Sequence, residues 1–185
     1  MQEKKVGVFV GSLRKESFSR KIAKALEELA PPSLRLEEVN LKNLEIYNQD
    51  FDDEGNIPKS WTEFRDTVKK YDAVLFVTPE YNRSVPAVLK NALDIGSRPY
   101  GKSVWDQKPG AVVSVSPGRL SAFGANHHLR QSLVFLNIPA MQQPEAYIGD
   151  VASLLDENGV MTDERTRKSL KKFMDSYAIW IEKNL

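Results

Sequence analysis

The chain has 185 residues, of which 41% are hydrophobic and 28% are charged, and its formal net charge is +1. These values are typical of one soluble globular domain with a sizeable core, and the balanced charge argues against a dedicated nucleic-acid binder. The absence of cysteine excludes disulfides, thiolate metal sites and a cysteine nucleophile, and it favours a reducing, cytoplasmic setting. No segment has the length and hydropathy of a membrane span, and the amino terminus lacks the apolar stretch of a signal peptide.

The first third of the chain predicts two strands and two helices. Residues 6–10 form an apolar run typical of an interior parallel strand, and a helix follows until Pro31 and Pro32 stop it. Residues 34–39 predict a weaker, half-polar strand at an edge of the sheet. The acidic segment 40–57 is interpreted as a surface excursion or as a lid over a ligand, and Pro58 is well placed to open the second helix.

The middle of the chain continues the alternation. Residues 72–78, which are apolar between Asp72 and Thr78, predict a central strand, followed by a helix that begins near Pro86. Residues 110–116 predict a fourth strand, and a helix is expected from about Ser121 to Asn137. A short fifth strand is predicted at residues 138–142.

The carboxyl-terminal segment predicts one long helix. Thr162 is expected to be its N-cap, with Asp163 and Glu164 in the first turn, where the helix dipole favours acidic residues. Leu170, together with apolar residues spaced along one stripe of this helix, is expected to face the core. No repeat or linker interrupts the chain, so residues 1–185 are interpreted as a single domain.

Five strand units separated by helices predict an α/β fold with an open parallel sheet covered by helices on both faces. Ligands of such sheets bind at the carboxyl ends of the strands, where the strand order reverses. For the five-stranded order 2-1-3-4-5, this switch point lies between the first and third strands. The loops after these two strands, residues 11–19 and 79–82, are also the richest in polar and turn-forming residues. Both observations point to one ligand-binding crevice.

The loop after the first strand has the chemistry of an anion site. It offers the hydroxyls of Ser12, Ser17 and Ser19, the guanidinium of Arg14 and the beginning of a helix, whose free N–H groups favour a phosphate. The loop lacks the Gly-Lys-Ser/Thr ending of a triphosphate site and has only Gly11 of a G-x-G-x-x-G pattern. A terminal phosphate monoester therefore fits best, and a cluster of solvated serines around a helix cap is the structural alternative.

The loop after the third strand contains Pro79, Glu80, Tyr81 and Asn82, and prolines stiffen it at both ends. A rigid loop of this kind can hold the edge of a planar heteroaromatic ring, and Tyr81 can stack on that ring. The alternative is a proline-rich turn before a helix, with Tyr81 half-buried.

The motifs G-S-L-R-K-E-S-F-S after the first strand, P-E-Y-N after the third and S-x-S-P-G after the fourth resemble the NAD(P)H-dependent FMN reductase family of flavodoxin-like proteins. Among its members the chain is most similar to bacterial NAD(P)H:quinone oxidoreductases, which are also described as chromate reductases. The similarity extends along nearly the whole chain. It implies a flavodoxin-like three-layer sandwich.

The resemblance also implies the positions that contact the cofactor FMN. The residues expected around its phosphate are Ser12, Leu13, Arg14, Ser17, Phe18 and Ser19. Those expected along the isoalloxazine ring are Pro79, Glu80, Tyr81 and Asn82, with Ser116 nearby from the fourth strand. Ser19 departs from the asparagine that the family often has here, and its shorter side chain has less reach.

The implied activity is hydride transfer from NAD(P)H through bound FMN to quinones, with chromate, nitro and azo compounds as further acceptors. The flavin performs this chemistry, which agrees with the absence of a catalytic triad in the sequence; Tyr81 and Asn82 are the residues expected nearest the ring. A homodimer or homotetramer is implied as well. Two alternatives are an FMN reductase that releases free reduced flavin to a partner, and a flavodoxin-like electron carrier, against which the near-neutral charge argues.

Four further residues attract attention. His127 and His128 are adjacent on a predicted helix and so lie on different faces, which argues against a metal site, and no metal is expected. Arg119 is open to interpretation as a contact for the nicotinamide nucleotide or for a second subunit. Trp105 is expected at a subunit interface or in the wall of the flavin pocket, with the interface preferred.

Overall fold

The computed structural model describes residues 3–185, and a parallel sheet of five strands forms its centre. The strands are β1 Lys4–Val10, β2 Leu34–Glu38, β3 Ala73–Thr78, β4 Gly110–Val115 and β5 Ala146–Ile148. Their order across the sheet is β2-β1-β3-β4-β5, and all four neighbouring pairs are parallel. The predicted fold class and strand order are confirmed. The carboxyl ends of β1 and β3 therefore flank the switch point.

Helices cover both faces of the sheet. They are α1 Phe18–Leu29, α2 Gln49–Asp53, α3 Lys59–Lys69, α4 Ala87–Gly96, α5 Phe123–Phe135 and α6 Glu164–Asn184, with a 3-10 turn at Val151–Leu154. Within residues 3–185, no helix combines the length and the apolar character needed to cross a membrane.

Alternation along the strands divides the core into two layers. Val8 and Val10 of β1 pack with the apolar stripes of α1 and α6, whereas Phe9 points to the opposite face, towards α3, α4 and α5. Side chains of successive strand residues point to opposite faces, so a run that is apolar throughout is buried on both. The three-layer sandwich follows from this pattern.

The fifth strand lies further along the chain than predicted. The prediction of residues 138–142 is wrong, since the regular ladder with β4 is made by Ala146–Ile148. The earlier segment contacts the sheet at a single parallel bridge, between Ala140 and Gly110 at the amino end of β4. Pro139 has no N–H to donate to a ladder, and the chain regains regular pairing only beside the carboxyl end of β4.

The N-cap of α6 is Asp163, one residue beyond the predicted Thr162. The Asp163 carboxylate accepts a hydrogen bond of 2.7 Å from the N–H of Thr166. Hydrogen bonding to the Thr166 side chain, and then this backbone bond, lowers the pKa of Asp163. The predicted buried stripe of α6, which begins at Leu170, is confirmed.

The segment 40–57 is fastened to α3 and α4. Asp52 forms a buried bidentate ion pair with Arg65, with both N–O distances at 2.8 Å. Asn91 of α4 accepts from the N–H of Tyr47 at 2.8 Å and donates to the carbonyl of Glu45 at 3.1 Å. These bonds favour the interpretation of a fixed surface excursion.

Candidate functional site

The β1 loop, defined here as residues 11–19, leads from the end of β1 into the first turn of α1. Ser17 is the N-cap of this helix, and its hydroxyl accepts from the N–H of Arg20 at 3.2 Å. Serine is a preferred N-cap because its short side chain satisfies one of the free N–H groups of the first turn. The helix dipole adds partial positive charge at this point.

Several backbone donors of the β1 loop are left open. Two N–H groups of the loop have protein acceptors. That of Gly11 donates to the carbonyl of Val77 in the neighbouring strand, and that of Arg14 lies 3.4 Å from the Ser12 hydroxyl. Within the described residues 3–185, no protein acceptor meets the N–H groups of Leu13, Lys15, Glu16, Phe18 and Ser19. A phosphate with its several acceptor oxygens can satisfy such a group of donors.

The side chains of the β1 loop divide into buried hydroxyls and an exposed cation. Ser12, Ser17 and Ser19 are each at most 4% exposed, and the hydroxyls of Ser12 and Ser17 accept from the N–H groups of Arg14 and Arg20. Leu13 is 44% exposed and Arg14 is exposed. Across residues 3–185, the Arg14 guanidinium has neither a hydrogen-bond acceptor nor an ion-pair partner. It is therefore available to an anionic ligand.

The β3 loop, residues 79–84, is a tight two-residue turn. Asn82 and Arg83 both have positive φ, 51° and 66°, and Tyr81 and Ser84 exchange two backbone hydrogen bonds of 3.0 and 3.1 Å. This geometry is that of a type I′ turn, for which asparagine is favoured because it tolerates the left-handed region. The turn closes on itself through these two bonds and presents Tyr81, which is 45% exposed.

Glu80 fixes the β3 loop to the beginning of α5. Its carboxylate accepts from the N–H of Ala125 at 3.0 Å and lies 3.4 Å from the guanidinium of Arg83. A carboxylate is stabilised at a helix N-terminus by the dipole and by the free N–H groups. The approach is so close that a Cβ on Gly124 would lie 3.0 Å from a Glu80 carboxylate oxygen. The carboxylate of Glu80 thus holds the β3 loop in place against α5.

The β1 and β3 loops are in contact with each other. A Cβ added to Gly11 would lie 2.8 Å from Cδ of Pro79 and 2.7 Å from Cδ1 of Leu89, so only glycine permits this approach. The hydroxyl of Tyr81 lies 3.5 Å from that of Ser12. The two loops that the sequence singled out therefore meet at the switch point, where folds of this kind have their ligand crevice.

The β4 loop, residues 116–122, borders the same edge of the sheet. The N–H of Ser116 donates to Ile148 at 2.8 Å, and its hydroxyl accepts from the N–H of Gly118 at 3.0 Å. Ser121 and Ala122 both have positive φ, at 55° and 57°. The buried hydroxyl of Ser114 donates to the carbonyl of Ser121 at 2.8 Å, so the strand beneath holds this conformation.

Sequence reasoning missed Ser114 and its partner Asn126, whose amide donates to the Ser114 hydroxyl at 3.2 Å. Both residues are fully buried. A serine within the apolar run of β4 was the available signal, because a buried hydroxyl requires a hydrogen-bond partner. Arg20 donates to two carbonyls of the β1 loop and to Glu38, and no sequence motif around either residue indicates these contacts.

The structure also locates Trp105 and Arg119, for which the sequence left the role open. Trp105 is fully buried, its ring lies 5.2 Å from that of Phe9, and its indole N–H donates to Leu93 at 3.0 Å. The expectation of an interface or pocket-wall position for Trp105 is wrong, since it belongs to the core. Arg119 is exposed in the β4 loop.

The two histidines have separate neighbours, as their adjacent positions on α5 require. Nε2 of His127 lies 3.1 Å from the hydroxyl of Tyr147, and Nδ1 of His128 lies 3.1 Å from that of Ser84. Burial, and then the hydrogen bond to Glu145, raises the pKa of Tyr147 to about 12. Tyr147 is therefore protonated at neutral pH.

The crevice fits the two ends of FMN. The open N–H groups and the guanidinium of Arg14 suit a phosphate, and the rigid β3 loop beside the phosphate position presents an aromatic side chain to solvent. The sheet order defines a flavodoxin-like protein, and this pair of loops is its candidate mononucleotide site at the switch point.

Residues 4–153 match the family model described as NADPH-dependent FMN reductase, and the chain belongs to that family. It is 58% identical to a quinone reductase from Pseudomonas putida, over 97% of this chain and 95% of the relative. It is 46% identical to a 2-hydroxy-1,4-benzoquinone reductase from Burkholderia sp, over 96% of each chain. Among solved structures it is similar to FerB, a flavoenzyme NAD(P)H:(acceptor) oxidoreductase from Paracoccus denitrificans, with a TM-score of 0.91, 41% identity and 98% coverage of both chains.

Proposed function

We propose that the protein is an FMN-dependent oxidoreductase that transfers a hydride from NAD(P)H through bound FMN to quinones. The observation that carries this proposal is the meeting of the β1 and β3 loops at Gly11, which joins an anion site to an aromatic-bearing turn. The 58% identity to a quinone reductase over nearly the full length of both chains supports the choice of acceptor. Chromate, nitro and azo compounds are further acceptors to be tested.

The proposed cofactor contacts come from the β1, β3 and β4 loops. Around the phosphate we place Ser12, Leu13, Arg14, Ser17, Phe18 and Ser19. Along the ring we place Pro79, Glu80, Tyr81 and Asn82, with Ser116 beside them. When bound, FMN supplies a ring that accepts a hydride from a reduced nicotinamide and passes two electrons to an acceptor.

The chain's own residues would bind and orient the cofactor. Backbone N–H groups of the β1 loop donate to the phosphate, and Arg14 adds a charge-assisted hydrogen bond. The type I′ turn fixes the backbone of Tyr81 and Asn82 beside the ring. The N–H of Tyr81 is donated to Ser84, whereas that of Asn82 meets no protein acceptor within residues 3–185 and can stabilise negative charge. Tyr81 and Asn82 are exposed, so water reaches this edge and can supply the proton that quinone reduction consumes in addition to the hydride.

The decisive experiment is an anaerobic spectrum of the purified protein. We expect a yellow protein whose absorbance near the flavin band is bleached by NADH or NADPH and restored by a quinone. A colourless protein that does not take up FMN would contradict the proposal. Comparing the bleaching rates for the two nucleotides also identifies the preferred reductant.

Retention of the flavin separates the proposed enzyme from its alternatives. Flavin that remains bound through gel filtration supports a quinone reductase, whereas flavin that is lost after each reduction indicates an enzyme that releases free reduced FMN. A protein that keeps its flavin but is not bleached by either nucleotide would be an electron carrier.

We infer that copies of the chain associate as a homodimer or homotetramer and that the protein is cytoplasmic, where NAD(P)H is available. The association is supported by an exposed apolar pair at the end of α5, Val134 at 78% and Phe135 at 89% exposure. Large apolar side chains exposed side by side favour contact with another surface. Light scattering after gel filtration gives the oligomeric state, and Phe135→Asp is expected to lower it.

A further inference from the structure

Arg20 of α1 and Glu38 at the end of β2 form a pair behind the β1 loop. Nε of Arg20 donates to the Glu38 carboxylate at 2.9 Å, which connects α1 to the edge strand. The same guanidinium donates through Nη1 to the carbonyl of Arg14 at 3.1 Å and through Nη2 to that of Ser12 at 3.3 Å. One side chain thus holds two carbonyls of the loop at once.

This contact determines which way two peptide N–H groups point. The C=O and the N–H of one trans peptide unit point in opposite directions. Because the carbonyls of Ser12 and Arg14 point at Arg20, the N–H groups of Leu13 and Lys15 point away from it. These are two of the donors that lack a protein acceptor within residues 3–185.

We propose that Arg20, held by Glu38, is a positioning residue that orients the β1 loop so that its N–H groups meet the FMN phosphate. The inference rests on the proposed function, since it assigns a role in cofactor binding. Arg20 acts through the backbone of Ser12 and Arg14, and the planar guanidinium suits this task because its donors have a fixed geometry.

The contrast with Arg14 supports an indirect role. The Arg14 guanidinium is exposed and has no partner within the described residues, whereas that of Arg20 already serves two carbonyls and a carboxylate. Three of the five N–H donors of Arg20 are therefore committed to the protein. Arg14 is therefore the better candidate for direct contact, and Arg20 for holding the loop.

The test uses two variants for which positioning and direct charge attraction predict different results. Arg20→Lys keeps the positive charge but cannot reproduce three bonds from one planar group, and we expect it to raise the Kd for FMN roughly tenfold. Glu38→Ala removes a negative charge near the phosphate, so direct attraction predicts tighter FMN binding. Positioning predicts weaker binding, because the guanidinium is released.

Two controls isolate the effect. Arg35 and Glu37 form a similar ion pair of 2.9 Å on the same strand, so Arg35→Lys and Glu37→Ala should leave FMN affinity unchanged. Riboflavin lacks the phosphate, and its affinity should not change in Arg20→Lys or Glu38→Ala. Thermal unfolding of the apoprotein checks that each variant is folded.

The measurement is a fluorescence titration of the apoprotein with FMN and with riboflavin. A lower FMN-to-riboflavin affinity ratio in both Arg20→Lys and Glu38→Ala supports the proposal. Wild-type ratios in Arg20→Lys, or tighter FMN binding in Glu38→Ala, would overturn it while leaving the proposed function intact. Failure of the wild-type apoprotein to bind FMN would overturn both.

Discussion

The β1 and β3 loops border the same crevice but are stabilised in opposite ways. Within residues 3–185, the β1 loop leaves several N–H groups without a protein acceptor, and it is held from behind by Arg20 and Glu38. The β3 loop closes on itself through the paired hydrogen bonds of a type I′ turn and is fixed to α5 through Glu80. One loop offers donors to a ligand, and the other offers a rigid surface.

With the cofactor placed as proposed, this difference separates cofactor affinity from the position of the reacting ring. An open set of donors is worth most to a charged phosphate, because charge-assisted hydrogen bonds are about twice as strong as neutral ones. A preorganised turn contributes little to affinity but keeps its amides in place during the reaction. Changes in the β1 loop should therefore act on binding, and changes in the β3 loop on the reaction.

The largest effect is expected for Gly11→Val, which breaks the contact between the two loops. A side chain here would overlap Pro79 and Leu89, and overpacking of this kind costs about 1–3 kcal/mol of unfolding free energy. We expect a lower Tm and loss of bound FMN, measured by thermal unfolding and by the absorbance of the purified protein. Gly118→Ala is the control, since its Cβ would lie 3.6 Å from the Ser116 hydroxyl.

Arg14→Ala should weaken FMN binding by about tenfold to a hundredfold, through loss of a charge-assisted contact. The unfolding free energy should stay within about 0.5 kcal/mol, because an exposed side chain contributes little to folding. Titration of the apoprotein measures the first quantity and chemical denaturation the second. Lys15→Ala, the exposed neighbour, serves as control, and equal FMN affinity in wild type and Arg14→Ala would contradict the phosphate assignment.

Glu80→Ala tests the β3 loop. It leaves the N–H of Ala125 without its acceptor and should lower the unfolding free energy by about 1 kcal/mol. The loop is then less firmly fixed beside the ring, so flavin reduction by NAD(P)H should slow while the FMN-to-riboflavin affinity ratio stays the same. A large change in that ratio in stopped-flow and titration measurements would show that the two loops are not separable in function.

The smallest effect is expected for Tyr81→Phe, which removes the hydroxyl near Ser12. At 3.5 Å this contact is at the limit of a hydrogen bond, so its loss should cost less than about 0.5 kcal/mol of binding free energy. Tyr81→Ala, which removes the ring as well, should slow flavin reduction more. Equal rates in both variants would indicate that the aromatic ring has no part in holding the cofactor.

The sequence was sufficient for the fold and for the expectation that the β1 and β3 loops lie together. The apolar runs that become β1, β3 and β4 are buried in the structure, and Pro79 and Gly11 mark the ends of two of them. The fifth strand was misplaced because Ile138 and Met141 are also buried, and apolar content alone does not show which run pairs with β4. The N-cap of α6 was missed by one residue because Thr162 and Asp163 are both good caps.

Local chemistry therefore determined the alternation of strands and helices, the hydroxyl-rich helix start in residues 11–19 and the turn at Asn82. These properties depend on residues that are near each other in the chain, so pattern and propensity reveal them. Only the tertiary structure decided that Tyr81 approaches Ser12, 69 positions away, and that Glu38 holds Arg20, 18 positions away. Such contacts arise when the parallel strands bring their carboxyl ends to one edge, and no local pattern encodes which side chains then meet.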